Sequence, residues 1–285
     1  MPTFPIDPER PPFAAILGDP VAQSLSPALH AFWLRSRGAK GAYIAVRTPA
    51  DDASFEQHVR ALQALGCRGA NITKPHKLRA FQIADVKSER SKLAGAANML
   101  SFRPDGKIHA DNSDIIGVSS PVSKVFEDGE RLRTLIIGAG GAAGGAIAAL
   151  KGRADILVRN RTQANAEALA ASFQAENIRA AISADLTPGS FDLILNASSL
   201  GMTGNPPLEL DTALLAPNGV FFDAVYAPLE TAALKQAKDA GVRTIDGLDM
   251  LIAQAGEPAR EWFGIEPPEK SETRAFLEDY LGASQ

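Results

Sequence analysis

Cysteine is all but absent from this chain: among 285 residues Cys67 stands alone. A single thiol cannot close an intrachain disulfide and has no metal-ligand neighbours in sequence, so a reducing compartment fits and Cys67 reads as a small buried apolar residue. An excess of positive charge is missing as well. With 29 Lys and Arg against 33 Asp and Glu the net charge is -4, which gives no electrostatic reason to expect nucleic acid or an anionic membrane surface as a partner. Long apolar runs are lacking: the longest uncharged stretch, Thr134–Leu150, is shorter than a membrane span and rich in glycine. The opening residues, MPTFPIDPERPP, carry neither the basic nor the apolar region of a secretory signal, and their prolines predict an irregular tail. The expected location is cytoplasmic. No repeat of fixed period is present, and no low-complexity segment beyond an alanine and glycine bias.

What is present is the material of two ordinary domains, since the length suffices and 45% hydrophobic residues can fill a core in each. The most informative stretch is LRTLIIGAGGAAGGAIAALKGRADILVRN, Leu132 to Asn160. It reads as strand, glycine-rich turn, helix from Ala142 to Leu150, and a second strand at Ile156 to Val158. Gly138, Gly140 and Ala143 have the spacing of a dinucleotide-binding turn. Gly138 permits the tight turn, Gly140 lets backbone approach a pyrophosphate, Ala143 allows close helix-to-strand packing, and the helix N-terminus at Gly141 and Ala142 faces the phosphates. The second strand ends in Arg159, Asn160, Arg161 and Thr162 with no acid, about 20 residues past the glycines. A carboxylate there would bind a ribose 2'-hydroxyl and repel a 2'-phosphate, whereas a guanidinium can bind the phosphate bidentately, so NADP is favoured over NAD.

Upstream, Phe13–Gly18 reads as a buried strand, followed by Ser24, Ser26 and a helix opened by Pro27 that runs to about Arg37. Ser26 can cap that helix, or Ser24 and Ser26 can hold a small carboxylate or hydroxyl ligand; His30 and Trp33 read as packing residues. Ala42–Val46 is a second strand, Asp51–Leu65 an amphipathic helix, and Gly69–Thr73 a third strand. Asn71, Thr73, Lys74 and Lys77 lie at the carboxyl end of that strand, where parallel sheets bind ligands. A helical stretch to about Leu93, a hairpin of Asn98–Phe102 with Lys107–Ala110, and a helix from Asp114 to about Glu127 follow. Asn112 or Ser113 can cap that last helix.

Beyond Asn160 we expect a helix over Gln163–Phe173, strands at Phe191–Asn196, Val220–Val225 and Thr244–Ile245, a helix over Thr231–Ala240, and a helical C-terminus. The fold class is α/β with two domains. Residues 1–112 form a substrate domain with a mainly parallel sheet, 113–247 a doubly wound Rossmann-type domain, and 248–285 a helical segment that returns to the first domain.

Taken together, GDPVAQSLSP, GANITKPHK, GAAN, DNSDIIG, GAGGAA, NRT, NASSLGM, DAVYAPLET and DGLDMLIAQA, in this order and spacing, resemble the shikimate dehydrogenase family over nearly the whole chain. The resemblance implies reduction of 3-dehydroshikimate to shikimate with NADPH in aromatic amino-acid biosynthesis, by a monomer or homodimer, with no metal. Ser24 and Ser26 match serines that hold the substrate carboxylate; Asn71, Thr73, Asn98 and Gln254 match residues that bind its hydroxyls; Lys77 and Asp114 match the catalytic pair. Asn160, Arg161 and Thr162 match the NADP-binding turn, and Tyr226, Gly247 and Met250 match positions near the nicotinamide and substrate. The sequence departs from the family pattern at Gln23, Ala31, Met99, Ser113, Asn165 and Asp249. Two other readings stay open. A quinate/shikimate or aminoshikimate dehydrogenase shares the Lys and Asp pair, although Arg159 and Arg161 speak against NAD. A non-catalytic NADP-binding sensor could keep the fold, although the intact set of Lys77, Asp114 and Asn71 speaks against it.

Overall fold

A computed structural model describes residues 11–282, so the irregular tail expected at the N-terminus falls almost wholly outside the described residues. The chain divides into two compact units, Met1–Ser113 with Gln254–Gln285, and Asp114–Ala253.

In the first unit the apolar run Phe13–Gly18 is strand β1, and helix α1 (Ser26–Ser36) leads to β2 (Ala42–Arg47). Helix α2 (Asp52–Ala64) buries Phe55, Val59 and Leu62, and the Asp51 carboxylate caps it by accepting from Ser54 N at 2.8 Å. Then come β3 (Gly69–Ile72), α3 (Lys77–Ile83), β4 (Val86–Lys87), α4 (Glu89–Ala94), β5 (Met99–Phe102) and β6 (Ile108–Asp111). The single helix expected up to Leu93 is thus two helices separated by a strand. Val86 and Lys87 pair with His109 and Ala110, and Ser88 starts α4 by accepting from Ser91 N.

The sheet order is β2-β1-β3-β5-β6-β4. β1 runs parallel to β2 and β3, but β5 is antiparallel to both β3 and β6. This reversal decides what meets what. Because Asn71 pairs with Met99, and Met99 with Asp111, the start of β5 and the end of β6 arrive at the carboxyl edge of β3. Ala15, Leu17, Phe55, Leu100 and Ile108 belong to one core of this unit.

The second unit opens with α5 (Asp114–Val122), which stops short of the expected Glu127. Pro121 lacks an N–H and its ring crowds the preceding turn, so the helix gives way to turns within a residue. β7 (Leu132–Ile137), α6 (Gly141–Leu150), β8 (Ala154–Arg159), α7 (Gln163–Ser172), β9 (Ile178–Ala180), β10 (Phe191–Asn196), β11 (Leu215–Asp223), α8 (Ala232–Asp239) and β12 (Arg243–Ile245) follow. β9 has only three residues, too few for its apolar alternation to stand out, which is why the sequence does not announce it. The order is β12-β11-β10-β7-β8-β9, and every pairing is parallel. Counted within the unit this is 3-2-1-4-5-6 read from the other edge, the doubly wound order whose topological switch point lies between β7 and β10.

After β12 come α9 (Gly247–Pro258), a π-helical turn (Ala259–Phe263) and α10 (Lys270–Gly282), and the residues from Gln254 onward complete the first unit. Trp33 and His30 are both buried, and Trp33 Nε1 donates to Thr273 Oγ1 of α10 at 2.9 Å. From the π-helical turn, Trp262 Nε1 donates to Ser101 Oγ at 2.9 Å. Gly69 makes room for this indole, since a Cβ there would lie 2.3 Å from Trp262 Nε1. Among the described residues no helix is long and apolar enough to cross a membrane.

Candidate functional site

In the first unit the polar residues gather at the carboxyl edge of β1 and β3. Asn71 lies in β3, where its Oδ1 accepts from Tyr43 Oη at 2.7 Å and its Nδ2 donates to the Asn98 carbonyl at 3.2 Å. Asn98 is buried just before β5; its Oδ1 accepts from Ser113 N at 2.8 Å, and its Nδ2 reaches Ser113 Oγ at 3.2 Å and Gln254 Oε1 at 3.4 Å. Asn71, Asn98, Ser113 and Gln254, far apart in sequence, therefore form one hydrogen-bonded set. Tyr43 in turn stacks on His30, with ring centroids 4.3 Å apart, and burial pushes the His30 imidazole down to about 3. Neither the Tyr43 contact nor the anchoring role of Ser113 is signalled locally in the sequence; only the strand register reveals them.

Thr73 follows β3 directly, its N–H donating to the Leu17 carbonyl at 2.9 Å. A Cβ on Gly18 would lie 2.2 Å from Thr73 Cγ2 and 2.9 Å from the Lys74 carbonyl oxygen, so a glycine there is what lets the two loops meet. Lys77 is the first residue of α3 and half-buried, and its carbonyl accepts from Ala97 N at 2.9 Å, next to Asn98. Ser24 is half-buried and Ser26 buried. The start of α1 differs from the expected cap: Ser24 Oγ accepts from Ser26 N at 3.3 Å, while Ser26 begins α1 behind an N-cap, Leu25, that gives no side-chain bond. Asn112, offered as a cap for α5, donates through its Nδ2 to the Ala96 carbonyl at 2.9 Å. Asp114, buried, is the first residue of α5 and so of the second unit, whereas Lys77 belongs to the first.

In the second unit the glycine turn sits at the switch point. Gly138 has φ +118°, and a Cβ there would come within 3.0 Å of Ala197 C and Ser198 N, the residues leaving β10. Gly140 is the opposite case: a Cβ would meet nothing within 4 Å. Backbone is open to a ligand at one glycine and pressed against backbone at the other. Gly141 and Ala142 are half-buried in the first turn of α6, and Ala143 is fully buried in the core. The N-cap is glycine and gives no side-chain acceptor, so the first N–H groups of α6 suit a pyrophosphate. Gly138 N donates to the Arg159 carbonyl at 2.8 Å, which joins the turn to the end of β8. Arg159 and Arg161 are exposed there, Asn160 Nδ2 donates to the Thr162 carbonyl at 3.0 Å, and Thr162 is the N-cap of α7. Two guanidinium groups beside that turn fit a nucleotide 2'-phosphate.

The carboxyl ends of β10 and β11 are held by a buried polar network to which the sequence alone assigns no task. Asp223 accepts from Asn196 Nδ2 at 2.9 Å, Val225 N at 3.1 Å and Thr231 Oγ1 at 2.6 Å, and Asn196 Oδ1 accepts from Ser198 Oγ at 2.6 Å. Burial pushes the Asp223 carboxyl up, against the pull of those hydrogen bonds. Tyr226 follows on the same loop, half-buried. Gly247 packs on it: a Cβ would lie 2.5 Å from Val225 C and O. Met250 is buried in the core with Ala143 and Phe222. The sheet order, the switch-point turn and the polar edge define a two-unit α/β protein of the dinucleotide-binding class.

The model of the shikimate dehydrogenase substrate binding domain matches residues 16–100, and that of shikimate / quinate 5-dehydrogenase matches residues 121–199. The chain is 40% identical over 273 residues to the shikimate dehydrogenase (NADP(+)) of Cereibacter sphaeroides, covering 94% of this chain and 97% of that one. It belongs to the shikimate dehydrogenase family. A crystal structure of a shikimate dehydrogenase in complex with NADP+ is similar with a TM-score of 0.87 at 29% identity, covering 99% of both chains. The shikimate 5-dehydrogenase of Thermus thermophilus, solved with NADP(H) and shikimate, has a TM-score of 0.82 at 32% identity, covering 95% of this chain and 100% of that one.

Proposed function

We propose that this protein catalyses the reversible reduction of 3-dehydroshikimate to shikimate with NADPH, in the cytoplasm, as a step towards chorismate and the aromatic amino acids. The observation that carries the reading is the set formed by Asn71, Asn98 and Gln254, three amide side chains from separate segments joined at one sheet edge in a chain of this family. Amides donate and accept at once, which suits a ligand with several hydroxyls. Thr73 adds a hydroxyl to the same group, and Ser24 and Ser26 take the substrate carboxylate.

Bound NADPH supplies a hydride to the ketone carbon. Negative charge then develops on the ketone oxygen, and Lys77 gives that oxygen a proton; in the oxidative direction the neutral amine takes the proton from the hydroxyl. Asp114 is the carboxylate of the pair and hydrogen-bonds a neighbouring hydroxyl of the substrate. Gly138, Gly140, Gly141, Ala142 and Ala143 take the pyrophosphate, Arg159, Asn160, Arg161 and Thr162 the 2'-phosphate, and Tyr226, Gly247 and Met250 flank the nicotinamide and substrate.

The test follows the absorbance of reduced cofactor with purified protein, crossing shikimate and quinate with NADP and NAD. Turnover confined to shikimate with NADP is the expected result. Turnover of quinate with NAD would move the protein to the related quinate enzymes, and NADPH binding without turnover of either would make it a sensor.

A further inference from the structure

Behind the amide set stands an ion-pair cluster that the proposed reaction does not use. Arg90, in the first turn of α4, spans two segments of the first unit. Its Nε donates to Asp111 Oδ1 at 3.0 Å and its Nη2 to Asp111 Oδ2, and the same Nη2 donates to Glu257 Oε2 at 2.9 Å. Asp111 ends β6 and also accepts from Ser88 Oγ and, at 2.7 Å, from Asn112 N. Burial alone would raise its carboxyl, but the hydrogen bonds from Arg90 and Ser88 outweigh burial and hold it below the usual range.

Each end of this bridge carries a residue assigned to the substrate. Glu257 lies three positions after Gln254 in α9, on the same side of the helix. Asp111 leads through Asn112 to Ser113, whose N–H holds the Asn98 side chain, and its own carbonyl accepts from Asn98 N at 3.1 Å. The direct link between the two ends is weak: Asn98 Nδ2 to Gln254 Oε1 is 3.4 Å, near the outer limit of a hydrogen bond. Charge-assisted bonds from a planar guanidinium are stronger and directional, and a lysine ammonium, being a point charge, cannot reproduce the fork. The side chains are 34% exposed for Arg90, 23% for Asp111 and 29% for Glu257, so water screens the cluster only in part.

We infer that Arg90 is a positioning residue for substrate binding: by joining Asp111 to Glu257 it fixes the separation of Asn98 and Gln254, and so governs affinity for the hydroxylated substrate without touching it. The inference rests on the proposed activity and on the roles given there to Asn98 and Gln254.

Steady-state kinetics of the full-length protein test it, comparing wild type with Arg90→Lys, Glu257→Gln and, as a surface control, Lys235→Gln. Because small misplacements of positioning groups are costly, KM for shikimate should rise on the order of 10-fold in Arg90→Lys and Glu257→Gln, while KM for NADP stays within about twofold. Glu257→Gln leaves the Arg90–Asp111 pair in place, so it folds even if Arg90→Lys does not. Amide exchange adds a second reading: both variants should exchange faster over Gln254–Glu257. Active variants with an unchanged KM for shikimate, or with both KM values raised together, would overturn the inference and leave the cluster a structural tie. A wild type that leaves shikimate untouched would instead sink the proposed activity, and this inference with it.

Discussion

The two sheets of this protein solve the problem of holding a ligand in opposite ways. In the second unit all strands are parallel, and the features proposed to hold the nucleotide are backbone: a turn anchored by a glycine against the residues leaving β10, a glycine open to space, and a helix start without a side-chain cap. In the first unit a single strand, β5, runs against the other five, and the features are side chains brought together from Asn71, Asn98, Ser113 and Gln254. A nucleotide phosphate can be met by amide N–H groups that any local sequence of small residues presents. A small hydroxylated acid offers no such common handle, so its recognition depends on side chains that only the fold assembles.

If the proton donor and substrate recognition belong to the first unit and cofactor choice to the second, substitutions at Lys77 and Arg161 should separate along that line. The largest effect is expected at Lys77. Lys77→Ala should lower kcat by roughly 10²- to 10⁴-fold with a smaller change in KM for shikimate, measured by steady-state kinetics. Near-normal turnover would remove Lys77 from acid–base work. Next comes Arg161→Ala, which should raise KM for NADPH by on the order of 10-fold and leave KM for NADH nearly unchanged, because only NADPH carries a ribose 2'-phosphate for the guanidinium to bind. An equal rise for both cofactors would blur the division of labour.

The two glycines of the turn give a sharper contrast within one motif. Gly138→Ala puts a side chain at positive φ and against Ala197 and Ser198, and should destabilise the protein by about 1–3 kcal/mol in urea unfolding. Gly140→Ala fills open space, so stability should change by less than about 0.5 kcal/mol while NADPH binding weakens. Unchanged NADPH binding in Gly140→Ala would mean that the open side of Gly140 is not a ligand surface.

The last expected effect concerns the first unit alone. His30 is buried and its imidazole is held down at about 3, below the ordinary 6.5. The unfolded chain therefore takes up a proton that the native state refuses. The stability this group contributes is complete above pH 6.5 and is lost as pH falls from 6.5 towards 3, with a slope of up to about 1.4 kcal/mol per pH unit. Urea unfolding of wild type across that range should show the slope, and His30→Leu should flatten it.

The same contrast explains what the sequence disclosed. The turn from Gly138 to Ala143 and the arginines after β8 were legible because strand, glycines and helix adjoin in the chain, and each has a stereochemical reason to be what it is. Most strands and helices of both units could be placed from apolar periodicity. Others, besides the short strand β9, could not. The split of the stretch before Leu93 depends on β4 finding a partner in β6, a tertiary event. The end of α5 at Val122 turns on how much disruption Pro121 causes. The bond from Ser24 Oγ to Ser26 N, in place of a cap by Ser26, depends on the loop's path. Within the amide set at the first sheet's edge, Asn71 was placed by the strand pattern, whereas Asn98 and Gln254 were reached by family resemblance, since nothing near Asn98 in sequence points to Gln254.

Everything proposed for the two units converges on one event, the passage of a hydride between NADP and a ring carbon of shikimate. NADPH carrying deuterium at the transferable position of its nicotinamide, incubated with the protein and 3-dehydroshikimate, tests it most directly, with the product read by mass spectrometry. The expected product is shikimate that carries the deuterium; unlabelled shikimate, or no shikimate at all, would contradict the proposed reaction.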